Sequence, residues 1–239
     1  MSNEDRGSAP RWDLTPEEAI TLQKELASWV QATNGFDPAA VRTVAGVDVS
    51  VKGGGPWARA GAAAEESAGK AAVVVLSYPD LARLDRAAHA RAITFPYVPG
   101  LLSFRESPLV LAAWEKLSVR PDLILVDGQG WAHPRRFGIA CHLGVLLDVP
   151  AIGVAKSVLV GRHENLGDAP GDIAPLIHRN EIIGMAVRSK ARTNPLIVSV
   201  GHKIDLPTAV SFVLSCVRGY RLPEPTRHAH NVAGSSEQT

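Results

Sequence analysis

The stretch Leu123-Ile124-Leu125-Val126 leaves no position for a solvent-facing side chain, and it stops abruptly at Asp127-Gly128. A strand that is apolar at every position is buried on both faces, so it must lie inside a sheet with covering layers above and below. That requirement points to an α/β architecture with this strand at its centre. A chain of 239 residues is long enough for one such domain with a well-covered sheet. One domain is expected over 14–231, with flexible polar tails at 1–13 and 232–239.

The surrounding pattern supplies the layers. Thr15 can cap a helix that begins near Pro16, with Glu18 closing a capping box and Leu22, Leu26, Trp29 and Val30 forming an apolar stripe. The odd positions from Val41 to Val51 carry strand-forming or small side chains, which predicts a strand with Asp48 on its other face. The Gly/Ala-rich segment 52–70 reads as a long, mobile connection whose low complexity argues against a catalytic role. Further strands are expected at 71–77, 92–97, 151–155, 182–187 and 196–200, and helices at 103–117, 137–147 and 207–219. Three adjoining antiparallel strands followed by parallel strands on right-handed crossovers give a mixed central sheet with helices on both faces. With the Leu123 strand beside the Val41 strand, Asp48 and Asp127 meet near one end of the sheet.

Composition mainly excludes. No apolar stretch approaches the ~20 residues of a membrane helix, and 1–13 has no apolar core after a basic start, so neither a membrane span nor a secretion signal is expected. Cys141 and Cys216 sit among apolar residues in expected helices, as reduced core thiols would, and a cytoplasmic location fits them. A net charge of +1 announces no nucleic-acid binder, so any affinity for phosphate must come from a local patch.

Several residues could carry chemistry, and each also has a plain structural reading. Asp48 interrupts an apolar strand, where a carboxylate is costly unless paired or metal-bound, or else it faces solvent. Asp127 stands beyond the carboxyl end of a buried strand, where ligands collect in open α/β sheets, although a strand ending in an Asp-Gly turn is common. Ser103 to Glu106 spells a capping box, so Glu106 either closes its own helix or joins the two aspartates. Three carboxylates and water suit magnesium or manganese, and no Cys/His spacing suggests zinc. Such an ion polarises a phosphoryl oxygen and activates water for attack on a phosphodiester. Lys156 follows the strand "AIGVA" at another carboxyl end and is either an exposed loop lysine or a cation beside the acidic site. His133, Arg135 and Arg136 are either a solvated loop or contacts to backbone phosphates. In "FPYVPG" two prolines stiffen the backbone around Tyr97, making a structural turn or a rigid aromatic wedge for a base stack.

These segments together resemble the endonuclease V family. The resemblance is carried by "VAGVDVS", "GKAAVVVLSYPDL", "FPYVPGLLSFRESP", "PDLILVDGQGWAHPRRFGIACHLGVLLDVPAIGVAKS", "VSVGHKIDL" and "YRLPEPTRHAH", in the family's order from Val44 to His230. It implies a ribonuclease H-like fold and magnesium-dependent hydrolysis of the second phosphodiester 3′ to a deaminated adenine, leaving a 3′ hydroxyl and a 5′ phosphate. It implies Asp48 and Asp127 as metal ligands, Glu106 as the third acid, Lys156 as the catalytic lysine and His230, with His228 as the alternative, as the active-site histidine. Tyr97 is implied as the wedge, shaped by Pro96, Val98 and Pro99. Gly100, Arg105, Gly128 and Gly130 join it as substrate-binding residues, with Gly128 and the backbone of its neighbouring turn lining the hypoxanthine pocket. The chain departs from the family's pattern at 52–70, which is longer than its usual link, and at Val51, where tyrosine is frequent.

The leading expectation is therefore a monomeric, magnesium-dependent endonuclease, manganese substituting, that acts on deoxyinosine in DNA. An endoribonuclease for inosine in single-stranded RNA is the alternative within the class, and a non-catalytic inosine- or lesion-binding module is the alternative outside it.

Overall fold

The protein is described by a computed structural model over residues 11–52 and 67–235. Its strands are β1 (Thr43–Lys52), β2 (Ser67–Ser77), β3 (Arg83–Ile93), β4 (Leu123–Val126), β5 (Ala151–Ala155), β6 (Ile173–His178), β7 (Glu181–Val187) and β8 (Leu196–His202). They form an eight-stranded sheet in the order β3-β2-β1-β4-β5-β8-β7-β6. The helices are α1 (Pro16–Ala27), α2 (Leu102–Trp114), α3 (Ile139–Leu147), α4 (Leu206–Ser215) and α5 (Glu224–Gly234).

β4 lies fourth in the sheet, and its four side chains are buried as its uninterrupted apolar pattern requires. Leu123 and Leu125 enter a core with Val213 of α4 and Ala229 of α5, while Ile124 and Val126 enter another with Val110 of α2 and Leu143 of α3. Helices therefore cover both faces. β1 pairs in parallel with β4, and β4 in parallel with β5, so three carboxyl ends open at one edge of the layer. α1 has the expected capping box, with Thr15 and Glu18 each bonding the other's backbone N–H. Its stripe is shorter than expected, because the helix stops at Ala27 and leaves Trp29 and Val30 beyond it.

Elsewhere the pattern misleads. The third strand is β3, not 92–97: as an edge strand it buries Ala87, Ala88 and Ile93 and turns its arginines to solvent, so no apolar alternation marks it. Residues 67–70 of the expected connection extend β2 and Lys52 ends β1, while 53–66 lies outside the described residues. Beyond β5 the strands are antiparallel, not parallel. β6 and β7 form a tight hairpin through Arg179 and Asn180, both with positive φ (55° and 61°), the geometry of a two-residue turn. The expected C-terminal tail is shortened too, since α5 runs through Gly234; at the other end Trp12 packs on Phe104 and His142.

α5 went unseen in the sequence because it is polar, yet it lies directly on the sheet. A Cβ on Gly46 would come within 1.8 Å of the Pro225 carbonyl oxygen, so β1 admits α5 only where a side chain is missing. Gly46→Ala should therefore destabilise the fold by about 1–3 kcal/mol or more. At about 2–4 °C per kcal/mol for a chain of this size, thermal melting should show a clearly lower midpoint, and an unchanged midpoint would show that α5 withdraws at no cost.

Candidate active site

Asp48 and Asp127 sit side by side for a reason that the backbone supplies. Val47 pairs with Val126 across the parallel β1–β4 ladder, and the Asp127 N–H donates to the Val47 carbonyl at 2.8 Å. The next residue on each strand is an aspartate, so both carboxylates emerge at the same edge. Their side chains are only 9 % and 8 % exposed. Two anions in so little water demand cations.

Two side chains reach them. Lys156, one residue past β5, places Nζ 2.5 Å from Asp127 Oδ2. His230 of α5 places Nδ1 2.8 Å from Asp48 Oδ2. His228, two residues earlier, faces Glu224 instead, 3.4 Å away. Donor atoms of Asp48, Asp127 and His230 lie within 4.8 Å of one another, the spacing of a metal-binding group.

Glu106 does not close its own helix. The residue preceding α2 is Leu101, which makes no side-chain capping bond, and Glu106 is buried in the second turn. Burial, with Asp48 and Asp127 close by, pushes its carboxyl up to about 8. Burial and the charge of Asp48 also raise Asp127, against the pull of Lys156. Carboxyl groups held in this state gain from a divalent cation that replaces their protons. Two carboxylates and one imidazole converge, with the Glu106 carboxyl buried beside them but outside that group, and this oxygen-rich set fits such an ion.

A cavity of about 330 Å³ adjoins this cluster, lined by Asp127, Gly128 and Lys156 on one side and by Tyr97 to Gly100 on the other. Gly128 leaves room there, since a Cβ would press on Ile139 Cγ2 at 2.5 Å. Gly130 packs instead toward β8, its N–H donating to Ser199 Oγ at 2.9 Å. Tyr97 stands out at 45 % exposure on a turn held at both ends. Arg105 Nη1 donates to the Phe95 carbonyl at 2.7 Å. At the other end the Gly100 carbonyl accepts from Gln23 Nε2 (3.0 Å), His133 Nε2 (3.1 Å) and Arg135 Nη2 (2.8 Å).

His133 and Arg135 are thus spent on this turn rather than spread over a solvated loop. His133 is buried, with Nδ1 accepting from the Arg135 N–H and Nε2 facing Gly100, an arrangement that requires the neutral ring. Arg136 is bound by Glu181 at 2.8 Å and by the His133 carbonyl. Sequence reasoning missed Gln23, whose amide also accepts from Arg135 Nε and donates to the Phe137 carbonyl. A lone glutamine on the inner stripe of α1 was its only signal. It missed Arg221 as well, which contacts the backbone of Lys156.

The Endonuclease V family model matches residues 24–231. A protein of Gloeobacter violaceus called Endonuclease V is 53% identical over 221 residues, which is 92% of this chain and 85% of that one. The solved Endonuclease V of Streptomyces avermitilis has a TM-score of 0.83 and 41% identity, over 93% of this chain and 92% of that one. That of Ciona intestinalis, in complex with a 24mer DNA containing an inosine followed by a ribo-adenosine, has a TM-score of 0.72 and 30% identity, over 91% and 95%. The mixed sheet is thus the ribonuclease H-like fold of these structures.

Two neutral histidines make the fold sensitive to acid. Burial pushes His133 down to about 4 and His142, enclosed by Phe104, Phe137 and Trp12, down to about 3. At these two rings the unfolded chain takes up protons before the folded one, so their contribution to stability is lost as pH falls from about 6.5 through about 4, while Glu106, raised to about 8, contributes in the opposite direction. In urea titrations across that range, His142→Phe should lose stability less steeply than the wild type. Equal slopes would remove His142 from the account.

Proposed function

This chain belongs to the endonuclease V family, whose members are nucleases that hydrolyse phosphodiester bonds, and from that membership we propose that it recognises deoxyinosine in DNA and nicks the second phosphodiester on the 3′ side. The reaction leaves a 3′ hydroxyl and a 5′ phosphate and opens repair of deaminated adenine. One observation carries the reading: the donor atoms of Asp48, Asp127 and His230 converge within 4.8 Å, with Lys156 beside them at the mouth of the cavity. A silent binding module would have no use for buried acids that oppose one another's charge.

Asp48 and Asp127, with Glu106 directly or through water, would hold the ion, magnesium with manganese as substitute. A divalent ion held there would supply polarisation of the phosphoryl group and favour ionisation of the attacking water. Lys156 keeps its ammonium where negative charge develops on the phosphoryl group or on the departing 3′ oxygen. His230 holds the Asp48 carboxylate in place through Nδ1. Tyr97 enters the base stack where the lesion leaves it, and Pro96, Val98 and Pro99 restrict its motion. The extruded hypoxanthine occupies the cavity floored by Gly128. Arg105, His133 and Arg135 act through the turn that they brace.

The same reading takes 14–235 as one catalytic unit, acting as a monomer. A cytoplasmic location suits its two free, buried thiols. Among the described residues no helix is long and apolar enough to cross a membrane.

The test is cleavage of matched inosine- and adenosine-containing strands, as DNA and as RNA, with magnesium or with EDTA. A magnesium-dependent nick two bonds 3′ of inosine in DNA is expected; faster cleavage of the RNA strand would move the main substrate to RNA. Asp127→Ala should reduce cleavage by at least about a thousandfold, since a catalytic ion supplies several kcal/mol to the transition state, and should leave much of the binding. Full activity in that variant would sink the proposal. Tyr97→Ala should weaken binding to inosine strands more than it slows single-turnover cleavage at saturating enzyme.

A further inference from the structure

Lys156 lies where the chain leaves β5, and the next three residues, Ser157 to Leu159, are exposed. A lysine on such a loop is not placed by burial. Its backbone is gripped by a residue far away in the chain. Arg221 donates from Nη2 to the Lys156 carbonyl at 2.5 Å and to the Pro195 carbonyl at 3.1 Å, and from Nε to the Asn194 carbonyl at 2.8 Å. Its own carbonyl accepts from Ser189 Oγ at 2.6 Å. Three carbonyls on two loops are joined by one planar guanidinium, a geometry that a lysine ammonium does not reproduce.

Arg221 also stands three residues before α5, which carries His230 and whose first turn rests on Gly46 of β1. It therefore joins the Lys156 loop to the helix on the other side of the acids. We propose that Arg221 is a positioning residue: it fixes the Lys156 backbone so that Nζ meets Asp127, and it keeps that loop in register with α5. Arg221 need not touch the substrate. A shift of about 1 Å at a group acting on the reacting atoms costs on the order of 100-fold in rate, so the effect falls on the chemical step. This inference rests on the reading of Lys156 as a group that acts on the phosphate.

The test compares the wild type with Arg221→Lys, Lys156→Met and the double variant. Arg221→Lys should slow single-turnover cleavage of an inosine strand about 10- to 100-fold while changing its dissociation constant by less than about twofold. In the Lys156→Met background the same change should add no further loss, because it acts through Lys156. A loss as large in that background as in the wild type would overturn the proposal. Hydrogen exchange of the free protein supplies a readout that needs no activity: amides of 156–160 should exchange faster in Arg221→Lys, with β4 and α5 unchanged. Unchanged exchange at 156–160 overturns the proposal even if the wild type fails to cleave inosine strands, an outcome that would defeat the functional reading by itself. Should Arg221→Lys melt well below the wild type, Arg221→Gln replaces it with the same expectations.

Discussion

Everything at the site follows from one pairing. β1 and β4 run in parallel, and the ladder ends with Val47 opposite Val126. An aspartate follows on each strand, so the backbone delivers two carboxylates to one buried edge. After β1 the chain lays down β2 and β3 in the same sheet, so it must cross back from the β3 edge to β4, and it does so through α2. That crossover brings Glu106, on the second turn of α2, against the same two acids. The third carboxylate is thus a consequence of the topology that places the first two.

Concentrated negative charge at one edge explains what surrounds it. Lys156 comes from the neighbouring parallel strand β5, and His230 from a helix lying across β1. Their partners hold backbone more often than they face outward. Arg105 and Arg135 hold the two ends of the Tyr97 turn, and Arg221 holds the carbonyl of Lys156. An arginine bonded to main-chain carbonyls locks a loop without adding bulk to a cavity.

What was legible in the sequence was whatever one strand or helix decides locally. The β4 run marked the centre of the sheet because all-apolar strands have few other homes, and Thr15 and Glu18 located the start of α1 because a capping box is a local bond. The same local rule failed at Ser103 and Glu106, where the capping pattern is present but tertiary burial claims the glutamate. β3 escaped because an edge strand needs no apolar alternation, and α5 because the face it seats on the sheet is lined by small residues, Ala229 and Ala233, rather than by large apolar ones. His133 and Arg135 pointed to chemistry, but only the fold shows that they brace the Gly100 carbonyl.

The parts least visible in sequence are those assembled from farthest apart. His230 and Asp48 are separated by 182 positions and Gln23 and Arg135 by 112, whereas the β1–β4 ladder is a single sheet contact. No unfolded chain holds such groups together, so the donor set exists only in the native state. Its affinity for a cation is then drawn from folding free energy, because the fold has already overcome the repulsion among three acids. Burial first, and the nearby charges of Asp48 and Asp127 after it, raise the Glu106 carboxyl, and the proton it retains occupies the charge balance that a divalent ion would take over. Site and scaffold are therefore not separable here: the cost of gathering the acids is met by the apolar layers around β4, and that gathering gives the protein a place for the ion.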